Sequence, residues 1–171
     1  MKSDSDSQRD KGFNVLPLDG GGALILSGHP AGLPGLSPEQ AVSHYGDLGA
    51  RSLVSLVTMT ELQKLRLTEL PAWCAARGLT WLHGPIEDYQ APDKHFDHWW
   101  VVNRDALHAL LDQSQSVALH CWGGRGRTGT VAARILVERG LSPDRAIEVV
   151  RQYRPGAIET AGQVNYVLSL K

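Results

Sequence analysis

Only two cysteines, Cys74 and Cys121, occur in the 171 residues, which is too few for a disulfide framework and fits thiols kept reduced. Neither sign of charge is in excess: Lys+Arg 17 against Asp+Glu 18 leaves a net charge of -1. That balance gives no electrostatic reason to bind nucleic acid or an anionic membrane surface. No apolar run approaches the roughly 18 residues that a membrane-spanning helix needs. The first residues, Met1 to Gln8, are polar and acidic with no apolar core, so no secretory leader is expected and a cytoplasmic location is the default. His95, His98 and His108 share no tight spacing with a second ligand set, so no metal site is expected. Internal repeats are lacking too. A length of 171 residues then suits one domain with a sizeable core: residues 1–12 as a Ser/Asp-rich disordered tail, and 13–171 as the folded unit, monomeric by default.

What the chain does have is concentrated in Val117-Ala118-Leu119-His120-Cys121-Trp122-Gly123-Gly124-Arg125-Gly126-Arg127-Thr128-Gly129. An apolar run reads as a short buried strand. Gly123, Gly124 and Gly126 permit a tight loop whose N–H groups crowd around one small object. Thr128 to Arg139 has helix-forming content, stopped by Gly140. A loop of free N–H groups feeding a helix N-terminus is an anion cradle, because orphan donors and the macrodipole both favour negative charge. Cys121 stands at the loop start, where that field favours the thiolate. Arg127, six positions on, supplies a planar fork suited to two phosphate oxygens. Thr128 can donate to the thiolate as it leaves. Arg125, Arg127 and Arg134 concentrate positive charge around the loop, a pattern suited to one anionic group. His120 is expected to orient the loop by hydrogen bonding rather than move protons. A thiolate in an oxyanion cradle predicts phosphoryl transfer through a phosphocysteine.

Taken in order, the chain alternates strands and helices. Ala23–Ser27 reads as the first strand, followed by a helix capped by Ser37-Pro38-Glu39-Gln40. Ser52–Val57 is a buried strand, Thr60–Leu65 and Glu69–Arg77 are short helices, and Leu79–Leu82 is a third strand. Cys74, beside Trp73 and Ala75, reads as a buried small residue; the alternative is a redox partner for Cys121. The loop His83–Asp93 carries the acidic residues Glu87, Asp88 and Asp93, of which Asp93 suits an N-cap and Glu87 a solvated position. Phe96, Trp99, Trp100, Asn103, Leu107, Leu110 and Leu111 recur at helical spacing, with the tryptophans read as core. Ser142-Pro143-Asp144 starts another helix, which runs to about Tyr153, and Thr160–Leu170 is the last. This order predicts an α/β domain: a central, mostly parallel sheet flanked by helices, with the reactive loop at a strand's C-terminal end.

The Cys-x(5)-Arg loop, with its flanking His120 and Thr128-Gly129, resembles the signature loop of the cysteine-dependent protein tyrosine and dual-specificity phosphatases. The segment Pro85-Ile86-Glu87-Asp88-Tyr89-Gln90-Ala91-Pro92-Asp93 is similar to the acid loop of their cyclin-dependent-kinase-associated subgroup. The resemblance implies that family's fold, no cofactor, and a phosphorylated protein or peptide as substrate. It implies Asp88 as general acid, protonating the leaving oxygen, and Trp122 to Arg127 as the phosphate-binding loop. Ile158-Glu159-Thr160-Ala161-Gly162-Gln163 looks like the family's Ile-Gln-Thr…Gln stretch. Gln163 would then help position water, while Glu159 replaces the first Gln.

Other readings compete. A phosphoinositide or other small-ester phosphatase shares the chemistry, and Arg125 fills one of the two basic loop positions typical there, although Trp122 fills the other. A rhodanese-like sulfur transferase needs neither Asp88 nor the Arg-Thr-Gly closure. A phosphate-binding pseudophosphatase would use the cradle alone, and such modules usually lose Cys, Arg or Asp.

Overall fold

The computed structural model describes residues 12–171; apart from Gly12, the expected tail lies outside them. Five strands form one sheet: β1 (Phe13–Pro17), β2 (Ala23–Ser27), β3 (Ala50–Ser55), β4 (Thr80–His83) and β5 (Ser116–His120), in spatial order β1-β2-β5-β3-β4. The α-helices are α1 (Pro38–Asp47), α2 (Met59–Lys64), α3 (Leu70–Ala76), α4 (Lys94–Asp112), α5 (Gly126–Glu138), α6 (Pro143–Tyr153) and α7 (Ala161–Leu168). A 3-10 turn at Pro30–Gly32 joins β2 to α1.

The sheet is mixed rather than wholly parallel in its described part. β1 pairs antiparallel with β2, and the other three pairings are parallel. β1 escapes sequence reading because it is a five-residue edge strand ending in proline. Gly20, Gly21 and Gly22, all with positive φ, turn it into β2 through Leu18 N–H to the Gly22 carbonyl (3.1 Å). A side chain at Gly22 would collide with the Gln115 backbone carbonyl. β3 and β4 are offset by one or two residues from the apolar runs that announced them.

β5 is central, and every residue in it is buried. Its last residue pairs across to Ser27 on β2 and Ser55 on β3, so three parallel strands end together beneath Cys121. Helices α1 and α3 pack on each other, and α5, α6 and α7 on one another.

Helix starts follow local chemistry. Ser37, Thr58 and Thr160 each complete a capping box, and Asp93 and Ser142 cap α4 and α6. Trp100 is fully buried and Trp99 packs partly buried on the same core, as the spacing predicts. Cys74 is buried too, and burial pushes its thiol up to about 12. Both cysteines are free, so the structure treats Cys74 as core.

Candidate active site

Helix α5 differs from the other long helices at its start. Its N-cap is Arg125, whose side chain makes no capping hydrogen bond. The N–H groups of the first turn therefore have neither an intrahelical acceptor nor a side-chain one, and they open onto the loop that leaves β5.

That loop has its carbonyls tied away from its centre. His120 Nδ1 bonds the Cys121 carbonyl (3.0 Å) and His29 N–H the Trp122 carbonyl (3.0 Å). Arg154 takes the next two: Nη2 donates to the Gly123 carbonyl (2.9 Å) and Nε to the Gly124 carbonyl (3.0 Å). The Arg125 carbonyl accepts from Ile158 N–H (3.1 Å) and Gly129 N–H (2.9 Å). Since a peptide unit points its N–H opposite its C=O, fixing the carbonyls outward turns the donors inward. One of them, Gly124 N–H, lies 3.2 Å from Cys121 Sγ. Gly124 has φ +73 and presses on the Ser27 backbone, where a Cβ would overlap it, so the turn requires glycine.

Two groups hold this floor from below. His120 is fully buried between the Cys121 carbonyl and Ser55 Oγ (2.6 Å), and Ser55 Oγ accepts from Trp81 Nε1 (2.9 Å). Burial, helped by the nearby His29 and Arg127 charges and opposed by the Cys121 carbonyl, lowers its pKa to about 4. A ring kept neutral at physiological pH orients the loop, as expected. Arg154, which the sequence offered only as part of a helix break, also donates Nη1 to Asn14 Oδ1 (2.7 Å), tying the loop to β1.

Arg127 is buried with one edge committed and the other reserved. Nη1 and Nη2 bond Glu61 Oε2 and Oε1 at 2.8 and 2.9 Å, and Nη1 also reaches the Ile86 carbonyl (2.9 Å). Nε is buried without a partner, while Nη2 lies 3.1 Å from Asp88 Oδ1. The sequence places Glu61 only within the short helix Thr60–Leu65; no local signal marks it as the seat of a residue 66 positions away. Burial works against its charge, but the Arg127 and Thr58 bonds outweigh that and hold its carboxyl below the usual range.

Asp88 sits on the acid loop, half exposed, and accepts from Tyr89 N–H (3.0 Å). The loop is fastened at its far side: Thr160 Oγ1 donates to the Tyr89 carbonyl and Gln163 Nε2 to the Gln90 carbonyl, both at 3.2 Å. Tyr89 adopts φ +62 to meet these contacts. Asp88, Cys121, Trp122, Arg125, Arg127 and Glu159 line a common cavity of about 190 Å³.

Three expectations need correction. Thr128 Oγ1 makes no bond to Cys121 Sγ; it is buried and unpartnered. Gln163 has its side chain occupied: Oε1 accepts from Glu159 N–H (2.9 Å) and Thr160 N–H (3.2 Å) while Nε2 holds the acid loop, so it latches rather than offering itself to water. Arg134 does not join the anion cluster; it turns to Asp97, Tyr166 and Glu138, because one helical face two turns on meets α4 and α7. Among the described residues no cluster of His, Cys, Asp and Glu has metal-ligand geometry, and no helix is long and apolar enough to cross a membrane.

The fold and site define a class: an α/β domain with a thiol at the centre of an oxyanion cradle. A family model described as "Polymorphic toxin system, DSP-PTPase phosphatase" matches residues 31–141. The chain is 33% identical over 122 residues to cyclin-dependent kinase inhibitor 3 of Rattus norvegicus, covering 70% of this chain and 56% of that protein. It is 31% identical over 126 residues to the Homo sapiens protein of that name, with the same coverage. The chain thus spans little more than half the length of the curated relatives it matches. Among solved structures, kinase associated phosphatase with serine replacing its catalytic-site cysteine superposes with TM-score 0.76 at 27% identity, covering 91% of this chain and 90% of that one. Tk-PTP in its active form gives TM-score 0.69 at 30% identity, covering 90% and 93%. The chain belongs to the DSP-PTPase phosphatase family, and it is similar to cyclin-dependent kinase inhibitor 3.

Proposed function

We propose that this protein hydrolyses phosphomonoesters of proteins, phosphotyrosine and also phosphoserine or phosphothreonine, through a cysteinyl-phosphate intermediate. The observation that carries the reading is the loop whose carbonyls are all tied outward around Cys121, with the Arg127 Nε left buried and unpartnered beside it. An entering phosphate supplies the missing acceptor at Arg127 Nε, displaces Asp88 from Nη2 and meets the inward N–H groups. Cys121 Sγ then attacks phosphorus as the P–O ester bond breaks, and the leaving oxygen takes a proton from Asp88, which enters the step as the carboxylic acid once the phosphate has taken its place on Arg127. Water next breaks the P–S bond, Asp88 takes its proton, and the thiolate is regenerated. The likeness to a solved kinase associated phosphatase supports a phosphoprotein substrate, and two free cysteines support a reducing, cytoplasmic setting.

The test is phosphate release from phosphotyrosyl and phosphothreonyl peptides and from soluble inositol phosphates. The wild-type protein is expected to turn over the peptides, and Cys121→Ser to bind them without turnover. Binding by the wild-type protein with no release from any ester would replace this reading with a phosphate-binding module.

A further inference from the structure

The cradle described above accounts for one phosphate group, and the side chains around its mouth bear on what else the substrate carries. Glu159 lines the catalytic cavity. It is exposed, and among the described residues its carboxylate has no hydrogen bond or ion pair; only its backbone N–H is engaged, by Gln163 Oε1. The chain goes to some lengths to put it there. The preceding residue, Ile158, is buried and β-branched yet adopts φ +60, a conformation that such residues avoid and that marks a position fixed by its surroundings. Ile158 is clamped by its N–H to the Arg125 carbonyl (3.1 Å) and by Arg151 Nη2 to its own carbonyl (3.0 Å). Gly126, the first residue of α5, lacks the Cβ that would sit 2.8 Å from Glu159 Oε1, so the carboxylate can lie against the start of the helix.

The nearby cations are already committed, with one exception. Arg127 is held bidentately by Glu61. Arg154 is used on the Gly123 and Gly124 carbonyls and Asn14. Arg125 alone is exposed and without an ion-pair partner among the described residues. A second phosphate beside the reacting one would therefore meet a single free guanidinium, opposed by a free carboxylate on the same cavity wall.

Resting on the phosphatase reading, we infer that Glu159 is a specificity residue, selecting substrates with one phosphate at the mouth and rejecting those with a second phosphate next to it. Like charges in a partly exposed cleft at such separations change affinity by about tenfold, and salt reduces the effect because the Debye length falls from about 10 Å at 0.1 M to about 3 Å at 1 M.

The experiment compares kcat/KM for a phosphotyrosyl peptide and for the same peptide phosphorylated also on the adjacent serine. The wild-type protein is expected to favour the singly phosphorylated peptide. Glu159→Gln should shrink that preference about tenfold, and Glu159→Lys should reverse it. High salt should shrink it in the wild type, whereas in Glu159→Gln it can only weaken the remaining attraction of the second phosphate to Arg125, a shift of opposite sign. Glu148→Gln, a charge change of the same size on exposed α6, should leave the ratio within about twofold. An unchanged ratio in Glu159→Gln would overturn the inference. So would a loss of turnover on both peptides with a burst of dephosphorylated product, which would assign Glu159 to hydrolysis of the intermediate. The same ratio read as Kd in the Cys121→Ser background keeps the inference testable even if no peptide is turned over, an outcome that would sink the phosphatase reading alone.

Discussion

Two arginines on helix α5, seven residues apart and so on one face of it, are both buried and both paired with carboxylates, yet they do different work. Arg134 is surrounded: it meets Asp97, Tyr166 and Glu138, and its guanidinium lies over the Trp100 ring at 5.3 Å. Glu138 in turn receives Trp100 Nε1 and His108 Nε2, both at 2.8 Å. Arg127 is held as firmly by Glu61, but its Nε is buried without an acceptor, and the residue lines the cavity beside Cys121. A guanidinium with no buried donor left over joins helices, whereas one with a buried, unaccepted donor waits for a ligand. Burial and ion pairing alone do not separate the two; a buried donor without an acceptor, found at Arg127 Nε and at no Arg134 nitrogen, does.

Breaking Arg127 should therefore cost activity, and breaking Arg134 stability. Arg127→Lys keeps the charge but loses the fork, and kcat/KM for a phosphotyrosyl peptide should fall about 10²–10³-fold, as for removal of an oxyanion donor. A loss under tenfold would deny the reserved edge its role. Asp88→Asn should lower kcat by about 10²-fold or more, with phosphothreonyl peptides hit harder than phosphotyrosyl ones because the poorer leaving group depends more on the acid. Equal losses on the two esters would remove Asp88 as proton donor. Glu61→Gln sharpens the comparison, since it leaves Arg127 in place but loosens its seat: about tenfold in kcat is expected, together with a lowered Tm, because a buried guanidinium loses its counter-charge.

Arg134→Met should lower Tm by about 5–10 °C, as expected for breaking a largely buried ion pair in a chain of this size. Per folded molecule, kcat should stay within a few-fold, and a hundredfold drop would mean that the two arginines are not separable. The smallest effect concerns His120. Its pKa of about 4 in the folded state lies below the 6.5 of an unperturbed His, so the unfolded chain binds the extra proton first. This contribution to stability is complete above about pH 6.5 and is lost as pH falls toward 4. His120→Asn should flatten the acid limb of a plot of Tm against pH across that window, and an unaltered limb would show that the ring is not held neutral.

Local chemistry was the legible part. Ser37, Asp93 and Ser142 announced their helices because a cap needs only its next three residues. The loop from Cys121 to Arg127 was readable because its function is built from consecutive backbone N–H groups and one side chain on the following helix. β1 was not, since a short edge strand is stabilised by its partner rather than by its own pattern. The acid loop was legible in Asp88 but not in its fastening, which depends on Thr160 and Gln163 more than 70 residues away.

From its sequence alone, then, this protein carried its α/β class, its candidate nucleophile, its candidate phosphate-binding loop and its candidate acid, because each rests on short-range order along the chain. Tertiary structure alone decided that Glu61 would seat Arg127, that Arg154 would turn the loop carbonyls outward, that Arg134 would be spent on α4 and α7, and that Gln163 would latch the acid loop. Those are choices among partners distant in sequence, made when the sheet and helices close and every buried donor must find an acceptor or be kept for a ligand.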